Sequence, residues 1–136
     1  MTDQTITRQF EALKAGSAAR RLTFDLAQRR AALARLASAV RTHRAEIAAA
    51  VAADMAKPAV EADLSEVLPV LAEIAHARRH LRSWMRPRRA WPTLMMLGTS
   101  AALHPEPKGV ALVIAPWNFP FMLALVPVVS AIAAGN

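Results

Sequence analysis

The sequence predicts an α/β protein with helices in its first part and the beginning of a β-sheet in its last part. Apolar side chains recur at steps of three and four over much of residues 1–90, which is typical of amphipathic helices. Residues 91–105 contain two short runs that read as strands around a turn. Residues 110–136 carry no charge and join a β-branched run to a second apolar run through a sharp break. We therefore expect N-terminal helices, a short β-hairpin, and then the first strand and helix of a sheet that this chain does not complete.

The helical part divides at identifiable residues. Residues 1–19 hold few large apolar side chains, which predicts a frayed or weakly docked helix. A second helix is expected from about Thr23, with Thr23 as its N-cap. The pattern weakens at residues 42–44 and resumes to about Met55. Pro58 marks the next boundary, because proline suits the first turn of a helix.

A long amphipathic helix follows that boundary. Pro69 predicts an irregular turn within it, since proline cannot donate to the helical hydrogen-bond ladder, and Pro87 predicts its end. Its apolar stripe favours a place in the core over a cofactor pocket. Glu61, Asp63 and Glu66 cluster near its start, where carboxylates oppose the positive end of the helix dipole. We favour that capping function over acid–base catalysis.

The hairpin and the terminal stretch come next. Residues 93–97 and 101–104 are the two expected strands, with a turn at residues 98–100. Residues 110–115 form a continuous apolar run, which predicts a strand buried on both faces. Pro120 would then open a helix, and Gly135 would follow its end.

A membrane-spanning helix is the alternative for this uncharged stretch, which is long enough to cross a bilayer. Pro116 and Pro120 argue against it, because together they remove helical hydrogen bonds within one turn, in lipid where no water replaces them. A strand, a turn and a helix explain the same residues with less strain. We therefore expect no membrane insertion.

Asn118 is the polar side chain at the break. Ligands of open α/β sheets bind at the carboxyl ends of the strands, which is where Asn118 would stand. A side-chain amide donates hydrogen bonds without carrying charge, which suits a developing oxyanion. An asparagine before a helix is also commonly a cap or a turn former, so composition leaves both interpretations open.

The charge pattern suggests two other kinds of partner, a polyanion and a metal ion. Six arginines between Arg78 and Arg89 account for most of the net charge of +7, and such a segment could bind nucleic acid or anionic lipid. Arginine at helical steps is also typical of a solvated face, and no nucleic-acid-binding motif accompanies it. His76 and His80 have a spacing that can bind a metal, but no cysteine, aspartate or glutamate lies between them or just after them, and arginines surround them. We expect neither a nucleic-acid partner nor a metal.

The chain contains no cysteine, which excludes a disulfide framework, a cysteine-ligated metal and a thiolate nucleophile within it. This composition fits a reducing compartment. The first residues lack the apolar segment of a secretory signal. We expect a cytoplasmic location.

Three motifs in order resemble the N-terminal part of the aldehyde dehydrogenase superfamily. They are a Pro-Lys-Gly-Val lead at residues 107–110, a Pro-Trp-Asn-Phe-Pro turn at residues 116–120, and a Gly-Asn exit at residues 135–136. Residues 54–58 are similar to the family's Asp-Leu-Gly-Lys-Pro junction, with Met55 and Ala56 as departures. The segments at residues 64–69 and 80–85 are similar to the class 3 and coniferyl-aldehyde dehydrogenase branch.

The resemblance implies oxidation of an aldehyde to a carboxylic acid with NAD or NADP. Asn118 matches the family's oxyanion-hole asparagine. The family stretch beside the nicotinamide and its ribose corresponds to Ile114, Ala115, Pro116 and Trp117. Phe119 matches an aromatic position that faces the substrate tunnel.

The resemblance also implies a domain organisation. Residues 1–90 would form the helical part of the cofactor domain, residues 91–105 the strands of an oligomerisation sheet, and residues 106–136 the start of a Rossmann-like dinucleotide-binding domain. The full-length protein would be a homodimer.

The family's nucleophilic cysteine and its general-base glutamate in a Glu-Leu-Gly-Gly setting are absent from this sequence. We therefore expect a truncated N-terminal part of the enzyme that, alone, aggregates or stays molten and does not oxidise aldehydes. The alternative from a different class is a small basic membrane-associated protein with an apolar C-terminal segment.

Overall fold

The computed structural model describes residues 3–136, and it is mostly helical. Six α-helices and two short strands follow one another along this part of the chain. In order they are α1 (Asp3–Thr23), α2 (Leu26–Thr42), α3 (Arg44–Met55), α4 (Ala59–Ala62), a π-helical turn (Asp63–Val67), α5 (Leu68–Trp84), β1 (Arg88–Ala90), a 3-10 turn (Leu94–Met96), β2 (Ala101–Leu103) and α6 (Pro120–Ala134).

The core lies where α2, α5 and α6 pack against one another. Each of these helices buries one apolar stripe, as the helical spacing predicts. Helix α1 forms but is mostly exposed, which agrees with the expected weak docking. The largest fully buried apolar side chains of the core are Leu33, Ile74, Leu81, Val67, Val70 and Val129.

The irregular turn expected near Pro69 is confirmed. The π-helical turn lies directly before α5, and Pro69 stands in the first turn of that helix. Arg44 donates hydrogen bonds to both carboxylate oxygens of Asp63 in the π-helical turn, and these bonds hold the pKa of Asp63 below its ordinary value. Helix α5 ends at Trp84, earlier than Pro87, because the residue before a proline is disfavoured in helical conformation.

The expected N-cap at Thr23 is wrong. Thr23 is the last residue of α1, and its hydroxyl donates to the carbonyl oxygen of Ala19 (3.1 Å). Asp25 caps α2 instead, since its carboxylate accepts the N–H of Gln28 (2.8 Å). Both residue types serve as caps, and the sequence alone did not separate them.

The first strand of the hairpin was placed too late along the chain. The antiparallel partner of β2 is Arg88–Ala90, with Arg88 opposite Leu103 and Ala90 opposite Ala101. Residues 94–96 form a 3-10 turn within the connection, and Pro92 lacks the N–H that a ladder would need there. The second strand was correctly predicted at residues 101–103.

The strand expected at residues 110–115 is also wrong for this structure. These residues have no regular secondary structure, and Leu112 and Ile114 are 81% and 85% exposed. A strand of a parallel sheet needs neighbouring strands, and the described part of the chain provides none beside it. The Rossmann-like sheet therefore stays a prediction.

The helix expected after the break is confirmed. Helix α6 begins at Pro120, and Gly135 follows it in left-handed conformation with φ 95°. Within residues 3–136, no helix combines the length and the apolar character that crossing a membrane requires.

Ala56 is the residue at which a glycine should stabilise the fold. It ends α3 in left-handed conformation with φ 53°, where alanine is strained and glycine is not. We expect Ala56→Gly to raise the free energy of unfolding by about 0.5–1 kcal/mol. The control Ala53→Gly, inside α3, should lower it by a similar amount. Urea titration followed by helical circular dichroism measures both in a folded protein that contains this chain, and a loss of stability in both variants would contradict the prediction.

Candidate active site

The site begins with a turn between residues 116 and 119 that leads into α6. Asn118 is exposed. The N-cap position of α6 belongs to Phe119, so Asn118 does not cap this helix. Among the contacts of residues 3–136, no hydrogen bond engages its side-chain amide. The amide is therefore accessible to a ligand.

Under this turn lies a buried ion pair. Lys57 Nζ donates to Glu66 Oε1 (2.8 Å), and Glu66 is fully buried. The same ammonium group donates to the carbonyl oxygen of Asn118 (3.1 Å) and stands 4.1 Å from the ring centroid of Phe119. Glu66 Oε2 accepts the N–H of Met122 (2.9 Å) in the first turn of α6. The pair thus fastens both sides of the turn to the helical core.

Sequence reasoning missed this arrangement. It assigned Glu66 to the positive end of its own helix, whereas Glu66 satisfies an N–H group at the start of α6. Lys57 was noted only as part of a junction motif. The available signal was a lysine between the end of a helix and a proline, but this pattern does not show which residue the lysine contacts.

The four residues expected beside the nicotinamide form a strip before the turn. Ile114 and Trp117 are 85% and 82% exposed, Pro116 is exposed, and Ala115 is half-buried. The strip is uncharged and lies next to Asn118 in the chain. Phe119, expected in the substrate tunnel, is half-buried with its ring against the ammonium group of Lys57.

The far end of α6 is held by Arg29, which is 7% exposed. Its Nη1 donates to the carbonyl oxygen of Ala133 (3.1 Å) and its Nε to that of Phe24 (2.8 Å). Burial lowers the pKa of Arg29, against the opposing effect of Asp25, but a guanidinium stays protonated in a protein. The cation therefore lies where the helix dipole is negative.

Gly135 and Asn136 of the exit motif now have a physical explanation. Gly135 has φ 95°, where a side chain is strained, and a Cβ atom there would lie 2.4 Å from an Arg29 guanidinium nitrogen, which would have to move. Asn136 Oδ1 accepts the N–H of Gly109 (2.7 Å). The lead motif and the exit motif thereby meet, and this contact attaches the chain at Gly109, ahead of the strip.

The histidine pair lies elsewhere, on α5. His80 Nδ1 is 2.9 Å from the carbonyl oxygen of His76, and the two rings pack with Trp84. Over residues 3–136, no group of three or more possible ligand side chains could hold a metal ion.

Comparison with known proteins identifies the family. A model of the aldehyde dehydrogenase family matches residues 2–136. The chain belongs to the aldehyde dehydrogenase family. It is 43% identical over 108 residues to mouse aldehyde dehydrogenase family 3 member B1, covering 79% of this chain and 23% of the relative. It is 35% identical over 114 residues to 4,4'-diaponeurosporen-aldehyde dehydrogenase of Staphylococcus aureus, covering 84% and 25%.

A solved structure of Staphylococcus aureus AldH in its substrate-bound state matches this chain with a TM-score of 0.90. The identity is 34%, and the match covers 96% of this chain and 28% of that one. The predicted resemblance, including its class 3 character, is confirmed. The chain spans about a quarter of the length of these relatives.

Proposed function

We propose that this chain supplies the oxyanion-hole part of an NAD(P)-dependent aldehyde dehydrogenase that converts an aldehyde to a carboxylic acid. The observation that carries the proposal is the exposed side-chain amide of Asn118, held at the start of α6 by the contacts of its neighbours. Membership of the aldehyde dehydrogenase family supports the choice of substrate class.

Asn118 acts by donating a hydrogen bond to the aldehyde oxygen. As a nucleophile adds to the carbonyl carbon, negative charge develops on that oxygen, and a fixed uncharged donor stabilises it. The start of α6 adds the positive end of a helix dipole close by. The nucleophile must come from outside these residues, because the chain contains no cysteine. We propose that the chain alone is therefore inactive.

Ile114, Ala115, Pro116 and Trp117 are proposed to contact the nicotinamide end of the cofactor. An exposed and uncharged strip suits one face of a planar ring, and the broad indole of Trp117 adds to it. The strip has no cation for the phosphates, so it fits only that end. When bound, NAD or NADP supplies the hydride acceptor for the oxidation. Phe119 is proposed to border the substrate tunnel.

The remaining expectations are proposals for the complete enzyme. Trp91 and Met95 in the connection between β1 and β2 are 95% and 96% exposed, which supports a homodimer contact along residues 91–105. Residues 1–90 and 106–136 would belong to the cofactor domain, and the location would be cytoplasmic. The comparisons give no support to a small basic membrane-associated protein.

A fusion tests the proposed function. The whole chain is joined through Asn136 to the part of Staphylococcus aureus AldH that follows the matched region. We expect the fusion to form NADH or NADPH with a panel of aliphatic and aromatic aldehydes, and the chain alone to form none.

The control is Staphylococcus aureus AldH carrying the same junction. If that control is active while a fusion of native helical content and elution volume forms no reduced cofactor, the proposed function is wrong.

A further inference from the structure

We propose that Lys57 and Glu66 are positioning residues that set the orientation of Asn118 in the reaction. This inference rests on the proposed function, because it assigns a use to the side-chain amide of Asn118. Both side chains are almost entirely buried and bind the backbone of the turn, so they act through the turn that they hold.

The contacts of the pair converge on the turn. The side chain of Lys57 is 10% exposed and that of Glu66 is fully buried. Every described polar contact of the two, apart from the one between them, goes to residues 118–122. Buried ion pairs are often no more stabilising than apolar residues of the same volume, so a contribution to stability alone does not explain why Lys57 and Glu66 are charged. Its contacts indicate that it fixes a geometry.

The backbone is irregular at Glu66 and again just before Lys57. Glu66 lies in the π-helical turn, a rare distortion that often re-aims side chains at functional sites. Lys57 follows Ala56, whose left-handed conformation ends α3 and turns the chain. These features lie where the chain brings Lys57 and Glu66 to the same turn.

The effect on Asn118 follows from its peptide group. Lys57 binds the Asn118 carbonyl oxygen from the core side and packs against the next residue, Phe119. Glu66 fixes the backbone of Met122 beyond it. Rotation of the peptide after Asn118 is therefore restricted, and the direction of its side chain is restricted with it. Without the pair, the amide would sample several directions and meet the oxyanion in only some of them.

The test uses the fusion with Lys57→Met, Lys57→Arg, Asn118→Ala and the double variant Lys57→Met/Asn118→Ala. We expect Lys57→Met to lower kcat about 10- to 100-fold, since a misplacement of about 1 Å can cost that much, while the KM values for aldehyde and cofactor change less than about threefold. Lys57→Arg should recover part of the loss. In the Asn118→Ala background, Lys57→Met should cause no further loss of kcat, because Lys57 affects the reaction only through the side-chain amide of Asn118.

The matched control is Arg44→Met. It removes the ion pair between Arg44 and Asp63, which lies at the protein surface, and it should leave kcat unchanged. If Lys57→Met yields no folded fusion, Glu66→Gln, which keeps the shape of the side chain, replaces it in the same cycle.

The outcomes separate the two proposals. Unchanged kcat in Asn118→Ala would overturn the proposed function itself. A loss in Asn118→Ala with no loss in the Lys57 or Glu66 variant would overturn the positioning inference alone. Full additivity of the two losses in the double variant would overturn it as well.

Discussion

Replacing Asn118 with alanine in the fusion should lower kcat by about 10²- to 10³-fold, the usual cost of one oxyanion-hole donor. The amide makes no other described contact, so its loss should leave the fold intact. The KM for the aldehyde should change little, because the bond strengthens only as negative charge develops on the oxygen. Steady-state rates of cofactor reduction measure both constants.

Asn118→Asp tests how a negative charge at this position affects the oxyanion. An aspartate has a similar shape but carries a negative charge, which would repel the oxyanion, so its kcat should fall at least as far as that of Asn118→Ala. Gln9→Ala, which removes an exposed amide from α1, is the control and should retain full activity. Equal rates for the wild-type fusion and a folded Asn118→Ala fusion would rule out the oxyanion function of Asn118.

Local chemistry predicted the elements that depend on neighbours in the sequence. Pro120 and Gly135 delimit α6 as expected, because proline and glycine act on the backbone of their own turn. Pro69 likewise predicted the irregular turn at the start of α5. The run at residues 110–115 was predicted as a strand from its composition, but composition cannot supply the strands beside which it would pair. Its exposed side chains in this structure are the consequence.

The candidate site was predictable only in part. Asn118 could be singled out because it is the polar residue of an uncharged stretch, and the resemblance to the family implied an oxyanion-hole function for it. Lys57 and Glu66 lie far from it in sequence, and their contact with the turn depends on how α5 packs against α6. Charged residues near a helix start usually serve that helix, so the local interpretation of Glu66 was reasonable but did not include its hydrogen bond to the first turn of α6.

Arg29 shows the same limit at the other end of α6. In the sequence it is one arginine among many on α2, with nothing to distinguish it from the exposed Arg30. Packing of α2 against α6 buries it and brings its guanidinium to Ala133. A Cβ atom on residue 135 would meet this guanidinium, so a side chain more than a hundred residues away adds to the local preference for glycine that φ 95° already sets. No local pattern contains the contact with Arg29.

Replacing Leu33 with alanine should have the largest effect on stability. Leu33 is fully buried in the core that α2, α5 and α6 share, and its truncation leaves a cavity among close-packed side chains. We expect the free energy of unfolding to fall by about 2–5 kcal/mol. Leu22→Ala is the matched control, since Leu22 is 88% exposed on α1 and should change stability by less than about 0.5 kcal/mol.

The two leucine variants also separate the core from the site. The loss in Leu33→Ala should appear as a lower urea midpoint and a lower temperature of inactivation in the fusion. Below that temperature its kcat should stay close to that of the unmodified fusion, because Lys57 and Glu66 still hold the turn. Asn118→Ala should show the reverse, with normal midpoints and a low kcat. A Leu33→Ala fusion that keeps its midpoint would mean that the three-helix core does not support this part of the enzyme.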